Sequence, residues 1–205
     1  MRRVILASRS PRRQTLLDKL GVIYENHPSE SDEELFTDRK PSEAAAQVAK
    51  NKAETVGQYY DDAIIIAADT VVVCQSRVFG KPADSAEARD ILRMLSGTSH
   101  EVITALAVLD TASGIFYRDT ETTRVFFRKL LEEEITAYIA SGEPFDKAGA
   151  YGIQGLGGLL VEKIEGCYYN VVGLPLSKLY LILKPLNVDL LRSQYTPMVD
   201  GSKRT

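Results

Sequence analysis

Residues 63–68 read AIIIAA, an unbroken apolar run in the first half of the chain. A short run of this kind, rich in β-branched residues, is typical of a strand that is covered on both faces. A second apolar run, at residues 4–7, predicts another buried strand. Residues 44–56 lie between these runs, are rich in Ala, Lys and Glu, and predict a helix. Strands that alternate with helices indicate an α/β fold.

The rest of the chain continues this alternation. Ser10 and Pro11 are placed to begin a helix that runs to residue 20 and ends at Gly21. Residues 102–109 and 115–127 predict two strands joined as a hairpin. The remaining predicted elements are helices at residues 86–95, 132–140 and 175–183 and a strand at residues 159–164. The expected architecture is a central mixed, twisted sheet flanked by helices.

The composition is that of an ordinary folded protein, with 205 residues, 44% of them hydrophobic and 26% charged. We expect one domain over residues 1–189 and a polar tail over residues 190–205. A formal net charge of −3 argues against a nucleic acid polymer as partner, although a local cluster of cations could still bind a small anion. Two cysteines are too few for a disulfide framework or a four-Cys zinc site. Because we find no signal peptide and no apolar run of about 20 residues, we expect a cytoplasmic protein that does not enter a membrane.

Residues 8–13, SRSPRR, lie between the first strand and the first helix. They combine hydroxyls with three guanidinium groups, which offer bidentate donors to phosphate. The N–H groups at a helix N-terminus also bind anions, whereas positive side chains are unfavourable at that end of a helix. The cluster therefore indicates that an anion binds here. The alternative is a capped helix with solvated arginines on its first turn.

Asp69 and Thr70 follow the central strand directly, at the end of a strand where open α/β sheets bind their ligands. A carboxylate there could hold Mg²⁺ together with substrate phosphates, or act as a general base toward water. An Asp that caps a turn is the alternative. Residues 30–34, ESDEE, supply further carboxylates, and one of them could reach the metal, although their spacing does not say which.

Three further polar residues need an interpretation. Residues 80–82, GKP, lack the first Gly and the Ser or Thr of a P-loop, but Lys81 can still contact phosphate as a point charge. Gln154 lies in a glycine-rich segment and could bind the edge of a base through its amide, unless this segment is an ordinary surface connection. His100 is expected to be a structural hydrogen-bonding residue. From the residues alone, we predict a phosphate-binding, metal-assisted site and no particular reaction.

The order and spacing of these segments resemble those of the Maf family of nucleotide pyrophosphatases. The matching segments are residues 8–13, 32–33, 68–70, 80–82, 96–97 and 141–155, together with Lys52 and His100. The resemblance implies an elongated molecule of two lobes with a cleft between them, similar to the inosine triphosphate pyrophosphatases. It also implies that a nucleoside triphosphate reacts with water to give a nucleoside monophosphate and pyrophosphate, with a divalent metal cation such as Mg²⁺ or Mn²⁺.

The same resemblance implies a role for each candidate residue. Asp69 matches the catalytic base and, with Glu33, the metal-associated carboxylates. The implied phosphate-binding residues are Ser8, Arg13, Lys52 and Lys81, and the residues tied to base choice are Arg12, Thr70 and Gln154. The base-choice residues match the branch that prefers dTTP and UTP. Two alternatives stay open: a pyrophosphatase for modified or other nucleotides, and a non-catalytic nucleotide-binding regulator of cell division or septum formation. A homodimer is among the expected assemblies.

Overall fold

A computed structural model describes residues 2–30 and 39–191. The strands are β1 (Arg3–Leu6), β2 (Glu25–Asn26), β3 (Ala63–Cys74), β4 (Arg77–Phe79), β5 (Ser99–Asp110), β6 (Ile115–Phe127) and β7 (Val161–Glu165). The helices are α1 (Pro11–Lys19), α2 (Pro41–Gly57), α3 (Ser85–Leu95), α4 (Glu132–Ala140), α5 (Tyr168–Val172) and α6 (Leu176–Leu183). In these residues the strands form one seven-stranded sheet, in the order β2-β1-β3-β5-β6-β7 with β4 paired to β3.

The sheet is mixed, as the sequence predicts. β1 runs parallel to β2 and β3, whereas β5, β6 and β7 continue the sheet through antiparallel pairs. β5 and β6 form the predicted hairpin. The predicted fold class, α/β with a central mixed sheet flanked by helices, is confirmed.

The central strand is longer than the sequence predicts. β3 does not end at Ala68 but continues to Cys74, because β5 pairs with it from Ile64 to Val73. Asp69 and Thr70 therefore lie inside the strand, and the prediction that they follow it was wrong. The apolar run marks only the part of β3 in which every residue is buried, since from Asp69 onward partly buried residues are mixed with buried ones while the backbone pairing persists.

The other edge of β3 is interrupted. β1 pairs with β3 up to Ile66, and β4 pairs with it from Val72 to Cys74. β5 pairs with both of these stretches, so β1 and β4 must share the opposite edge of β3. Residues 67–71 between them have no strand beside them on that edge in the described part of the chain. We call this interruption the β3 gap, and Asp69 lies within it.

Apolar side chains of β3 pack on both faces of the sheet, because successive side chains of a strand point to opposite sides. Ile64 and Ile66 pack with residues of α1 and α6, whereas Ile65 packs on the opposite face with residues of α2. A third cluster contains Val72 and Cys74 and includes residues of α3 and α4. Within the β3 gap, Asp69 and Thr70 belong to none of these three clusters.

Three short elements are absent from the sequence prediction. β2 has two residues, β4 has three and α5 has five, which is too short for a hydrophobic period to show. Within residues 2–30 and 39–191, no helix is both long enough and apolar enough to cross a bilayer. Most of the predicted tail, residues 192–205, lies outside the described residues, so the domain boundary at 189 stays a prediction.

Candidate active site

A cavity of about 820 Å³ lies along the β3 gap. It is lined by residues of the β1–α1 loop, α2, β3, residues 146–154 and the end of α5. Eight of the nine candidate residues line it: Ser8, Arg12, Arg13, Lys52, Asp69, Thr70, Lys81 and Gln154. The ninth, Glu33, lies outside the described residues. Residues that are as far apart as 8 and 154 in the sequence thus meet around one space.

The cavity is positively charged, although the whole chain carries a net charge of −3. Among the described residues, the cations that line it are Arg9, Arg12, Arg13, Arg39, Lys52, Lys81 and Lys147, and the carboxylates are Glu30, Asp69 and Asp146. Cations therefore outnumber carboxylates by more than two to one. Such an excess inside a cleft raises the local concentration of anions and favours a polyanionic ligand.

The N-terminus of α1 faces this cavity. Ser10 occupies the predicted N-cap position, but within the described residues its side chain makes no cap hydrogen bond. Its backbone N–H donates instead to Ser8 Oγ, at 3.2 Å. The first turn of α1 thus lacks the usual side-chain acceptor, and Ser10 and Pro11 line the cavity. Backbone N–H groups in this position are suited to an anion.

Arg13 is more deeply buried than an exposed phosphate-binding residue would be, with 8% of its surface accessible. Its Nε donates to the carbonyl of Gly173 at 2.7 Å, Nη1 donates to Ser8 Oγ at 3.1 Å, and Nη2 donates to Thr70 Oγ1 at 3.0 Å. The guanidinium thereby joins α1, β3 and the end of α5. A planar group held by these three bonds has a fixed orientation at the cavity.

A buried chain of hydroxyl groups extends from Arg13 into the sheet. Thr104 Oγ1 donates to the carbonyl of Asn170 at 3.0 Å, and it lies 2.9 Å from Thr70 Oγ1. Because a carbonyl only accepts, the single hydroxyl proton of Thr104 is committed to Asn170, and Thr70 must donate to Thr104. Thr70 therefore faces Arg13 as an acceptor, in the direction that a guanidinium requires.

Sequence reasoning did not identify Thr104 and Asn170, both of which are fully buried. The Asn170 amide accepts from the backbone N–H of Thr104 at 3.1 Å and donates to the carbonyl of Val102 and to Thr123 Oγ1, at 2.9 and 2.8 Å. The sequence does contain a signal for Asn170, which is a single amide among the apolar and aromatic residues of YYNVV. A polar side chain that is buried in such a segment requires hydrogen-bond partners.

Lys52 and Asp69 form an ion pair at the cavity, with Nζ 2.8 Å from Oδ1 and side-chain accessibilities of only 10% and 14%. Lys52 follows the apolar stripe of α2, which includes Ala45, Val48 and Ala49 at helical spacing. The helical period therefore places this ammonium on the buried face, toward β3. The spacing of Lys52 from that stripe is a sequence signal, independent of any family resemblance.

The opposite side of the cavity consists of loop residues. Arg12 Nη1 donates to Asp146 Oδ2 at 2.6 Å, and Lys147 Nζ donates to the other carboxylate oxygen at 2.5 Å. Gln154 is half-buried, and Lys81 is exposed beyond the end of β4. Residues 146–154 thus carry the polar groups that face α1 and β3 across the cavity.

The profile of a family described as Maf-like protein matches residues 3–186. The chain belongs to the Maf family.

Two curated Maf relatives cover nearly the same length. A dTTP/UTP pyrophosphatase of Syntrophomonas wolfei is 51% identical over 189 residues, which is 92% of this chain and 100% of that protein. A dTTP/UTP pyrophosphatase of Bacillus cereus is 48% identical over 191 residues, 93% of this chain and 98% of that protein. A solved structure of a dITP/XTP pyrophosphatase from Mycobacterium abscessus matches at 15% identity with a TM-score of 0.40, covering 62% of this chain and 75% of that one.

His100 lies beneath the loop residues of this Maf protein and makes the structural hydrogen bond that the sequence predicts. Its Nε2 lies 2.7 Å from Tyr151 Oη, and both rings pack edge-on against Phe127. Burial lowers the pKa of His100 to about 4 and raises the pKa of Tyr151. The imidazole is therefore neutral at pH 7, and it supports the segment that carries Tyr151.

Proposed function

We propose that this protein hydrolyses nucleoside triphosphates to nucleoside monophosphates and pyrophosphate, with dTTP and UTP as preferred substrates. The observation that carries the proposal is the cationic cavity, which contains a partly buried carboxylate, Asp69, beside its many Lys and Arg side chains. A triphosphate supplies the matching negative charge. The relatives named dTTP/UTP pyrophosphatase, 51% and 48% identical, support the reaction and the choice of base.

Asp69 is the catalytic carboxylate in this proposal. The Lys52 ammonium contacts one of its oxygens, Oδ1, and thereby orients the carboxylate at the edge of the cavity. The carboxylate can orient a water molecule and accept its proton as the water attacks phosphorus. Hydrolysis at the α-phosphorus then releases pyrophosphate, which carries away most of the charge of the substrate.

The phosphate chain is bound by Ser8, Arg13, Lys52 and Lys81. Arg13 is held in a fixed direction, and exposed Lys81 contributes a point charge to the terminal phosphates. The N–H groups at the start of α1 add donors that need no side-chain movement. Cations in a partly closed site stabilise the charge that develops on the phosphate oxygens in the transition state.

A divalent metal cation fits this donor set. The described residues contain no group of three His, Cys, Asp or Glu side chains that could hold a metal by themselves. Mg²⁺ commonly binds through one or two carboxylates together with substrate phosphates, and Mn²⁺ favours the same oxygen ligands. Asp69 and Glu33 would hold it, and when bound it would supply further positive charge to the phosphate oxygens.

Base choice is assigned to Arg12, Thr70 and Gln154. The Gln154 amide can both donate and accept, as the ring N–H and carbonyl groups of uracil and thymine require. A site that hydrogen-bonds a base discriminates strongly, because another base leaves buried polar groups without partners.

A nucleotide panel tests this function. The purified protein, with Mg²⁺ or Mn²⁺, is incubated with dTTP, UTP, CTP, dATP and dGTP, and products are separated by ion-exchange chromatography. We expect pyrophosphate and monophosphate in equal amounts, with the highest kcat/KM for dTTP and UTP. Orthophosphate with a nucleoside diphosphate would contradict the reaction, and a preference for a purine would contradict the assigned base choice.

A further inference from the structure

The loop that carries Gln154 is held by a carboxylate that sequence reasoning did not single out. Glu143 Oε2 accepts from the backbone N–H of Leu156 at 3.0 Å, and Oε1 accepts from the backbone N–H of Gly157 at 3.0 Å. These two N–H groups follow Gln154 by two and three residues. One carboxylate thus binds the chain immediately after the base-choice residue.

Tyr138 holds the same loop on the other side of Gln154. Its hydroxyl accepts from the backbone N–H of Gly152 at 3.2 Å and donates to Glu143 Oε1 at 3.0 Å. Only this direction is allowed, because a backbone N–H only donates and a carboxylate only accepts. Burial raises the pKa of Tyr138, so its hydroxyl keeps the proton that it donates.

The close approach of Glu143 to the loop depends on the glycine at position 155. Gly155 has φ of +78°, and a Cβ added there would lie 2.8 Å from Glu143 Oε2. A side chain at this position would therefore both strain the backbone and collide with the carboxylate. The glycine that follows Gln154 allows the approach through which Glu143 binds the loop.

We propose that Glu143, together with Tyr138, is a positioning residue for base selection. The two side chains fix the backbone on both sides of Gln154 and so set the direction of its amide in the cavity. The proposal rests on the proposed function, since it assigns to Glu143 a part in choosing the base. Neither residue lines the cavity, so each acts through Gln154 and not on the phosphates.

The test is Glu143→Gln, compared with wild type in kcat/KM for UTP and for dGTP. The new amide places an NH₂ donor where a backbone N–H or the Tyr138 hydroxyl needs an acceptor, so the loop loses at least one bond. We expect the ratio of kcat/KM for UTP to kcat/KM for dGTP to fall about threefold, within the range of one lost hydrogen bond and no more than in Gln154→Ala, with less change in kcat/KM for dGTP. The matched control is Glu133→Gln, an exposed glutamate of α4, which should leave the ratio unchanged.

Two further measurements separate positioning from general damage. Glu143→Gln in a Gln154→Ala background should have almost no additional effect on the ratio, because coupled residues are not additive. Tyr138→Phe should also lower the ratio, and it decides the question if Glu143→Gln does not fold. A folded variant that loses activity equally on both nucleotides, or that keeps the wild-type ratio, would overturn the proposal.

The base preference can also be measured without turnover, as the ratio of the dissociation constants of UMP and GMP from titration calorimetry. A wild-type protein that hydrolyses no nucleotide but binds UMP better than GMP would contradict the proposed reaction. The positioning role of Glu143 and Tyr138 would still be tested by the effect of the two variants on this binding. Loss of that binding preference in Glu143→Gln supports the proposal, and its retention overturns it.

Discussion

Two sides of one cavity are built in different ways. The strand wall, which consists of Ser8, Arg13, Lys52, Asp69 and Thr70, lies on β3, on α2 and at the start of α1. The loop wall, residues 146–154, belongs to no strand, and side chains hold the backbone near its end: Tyr138 accepts from Gly152 N–H, and Glu143 accepts from two N–H groups just beyond Gln154. Regular elements hold groups more rigidly than loops do. Most groups assigned to phosphate binding thus lie on the rigid wall. Base choice is divided, with Thr70 on the strand wall, Arg12 on α1 and Gln154 on the loop wall.

The strongest test of the strand wall is Asp69→Asn, which keeps the size of the side chain and removes its charge. We expect kcat to fall about 10²- to 10⁴-fold on every nucleotide, the range for loss of a general base. Asp90→Asn, at an exposed carboxylate of α3, is the control and should be neutral. Near-normal turnover in folded Asp69→Asn would remove Asp69 from the chemistry.

Acid should destabilise the protein through His100, beneath the loop wall. The pKa of this buried imidazole is about 4, against about 6.5 in an unfolded chain. Between these values the unfolded chain binds a proton that the folded chain does not, so the free energy of unfolding decreases as the pH falls. The expected loss from pH 6.5 to 4 is about 3 kcal/mol.

Urea unfolding at pH 7 and at pH 4.5 measures this dependence. His100→Gln should show a smaller loss than wild type. Asp110, whose pKa is lowered mainly by its hydrogen bond to Arg2, adds acid sensitivity to both proteins alike. Equal losses in wild type and His100→Gln would show that the acid-sensitive group lies elsewhere.

A smaller effect is expected from Lys52→Met, which replaces the ammonium of the strand wall with an apolar group of similar length. Asp69 then loses its partner at 2.8 Å, and the phosphates lose one cation. We expect kcat/KM to fall about tenfold or more, and by a similar factor for dTTP, UTP and dGTP, because phosphate contacts do not depend on the base. Lys50→Met, two residues earlier on the same helix, is the control. A loss confined to pyrimidine nucleotides would contradict the division between the two walls.

The smallest effect should come from the loop wall. Gln154→Ala should reduce the preference for dTTP and UTP over dATP and dGTP by several-fold, with little change on the poor substrates. Steady-state kinetics on the four nucleotides measure it. A uniform loss on all four would assign Gln154 to the structure of the loop instead of to base choice.

The sequence by itself determined the elements that have a strong local pattern. The apolar run at residues 63–68 predicted a strand buried on both faces, and α4 begins and ends where its helical pattern does. The order of the motifs predicted the family, which the match over residues 3–186 confirms. The roles implied for individual residues stay predictions, and Glu33 lies outside the described part of the chain.

Only the tertiary structure decided how the cavity is made. The length of β3 depends on its pairing with β5, and the gap beside Asp69 depends on where β1 ends and β4 begins. The bonds from Glu143 to the loop, and the direction of the hydroxyls between Arg13 and Asn170, likewise join residues that are separated along the chain. Local sequence patterns report burial and helical period, whereas backbone pairing and the direction of a hydrogen bond depend on which distant groups the fold brings together.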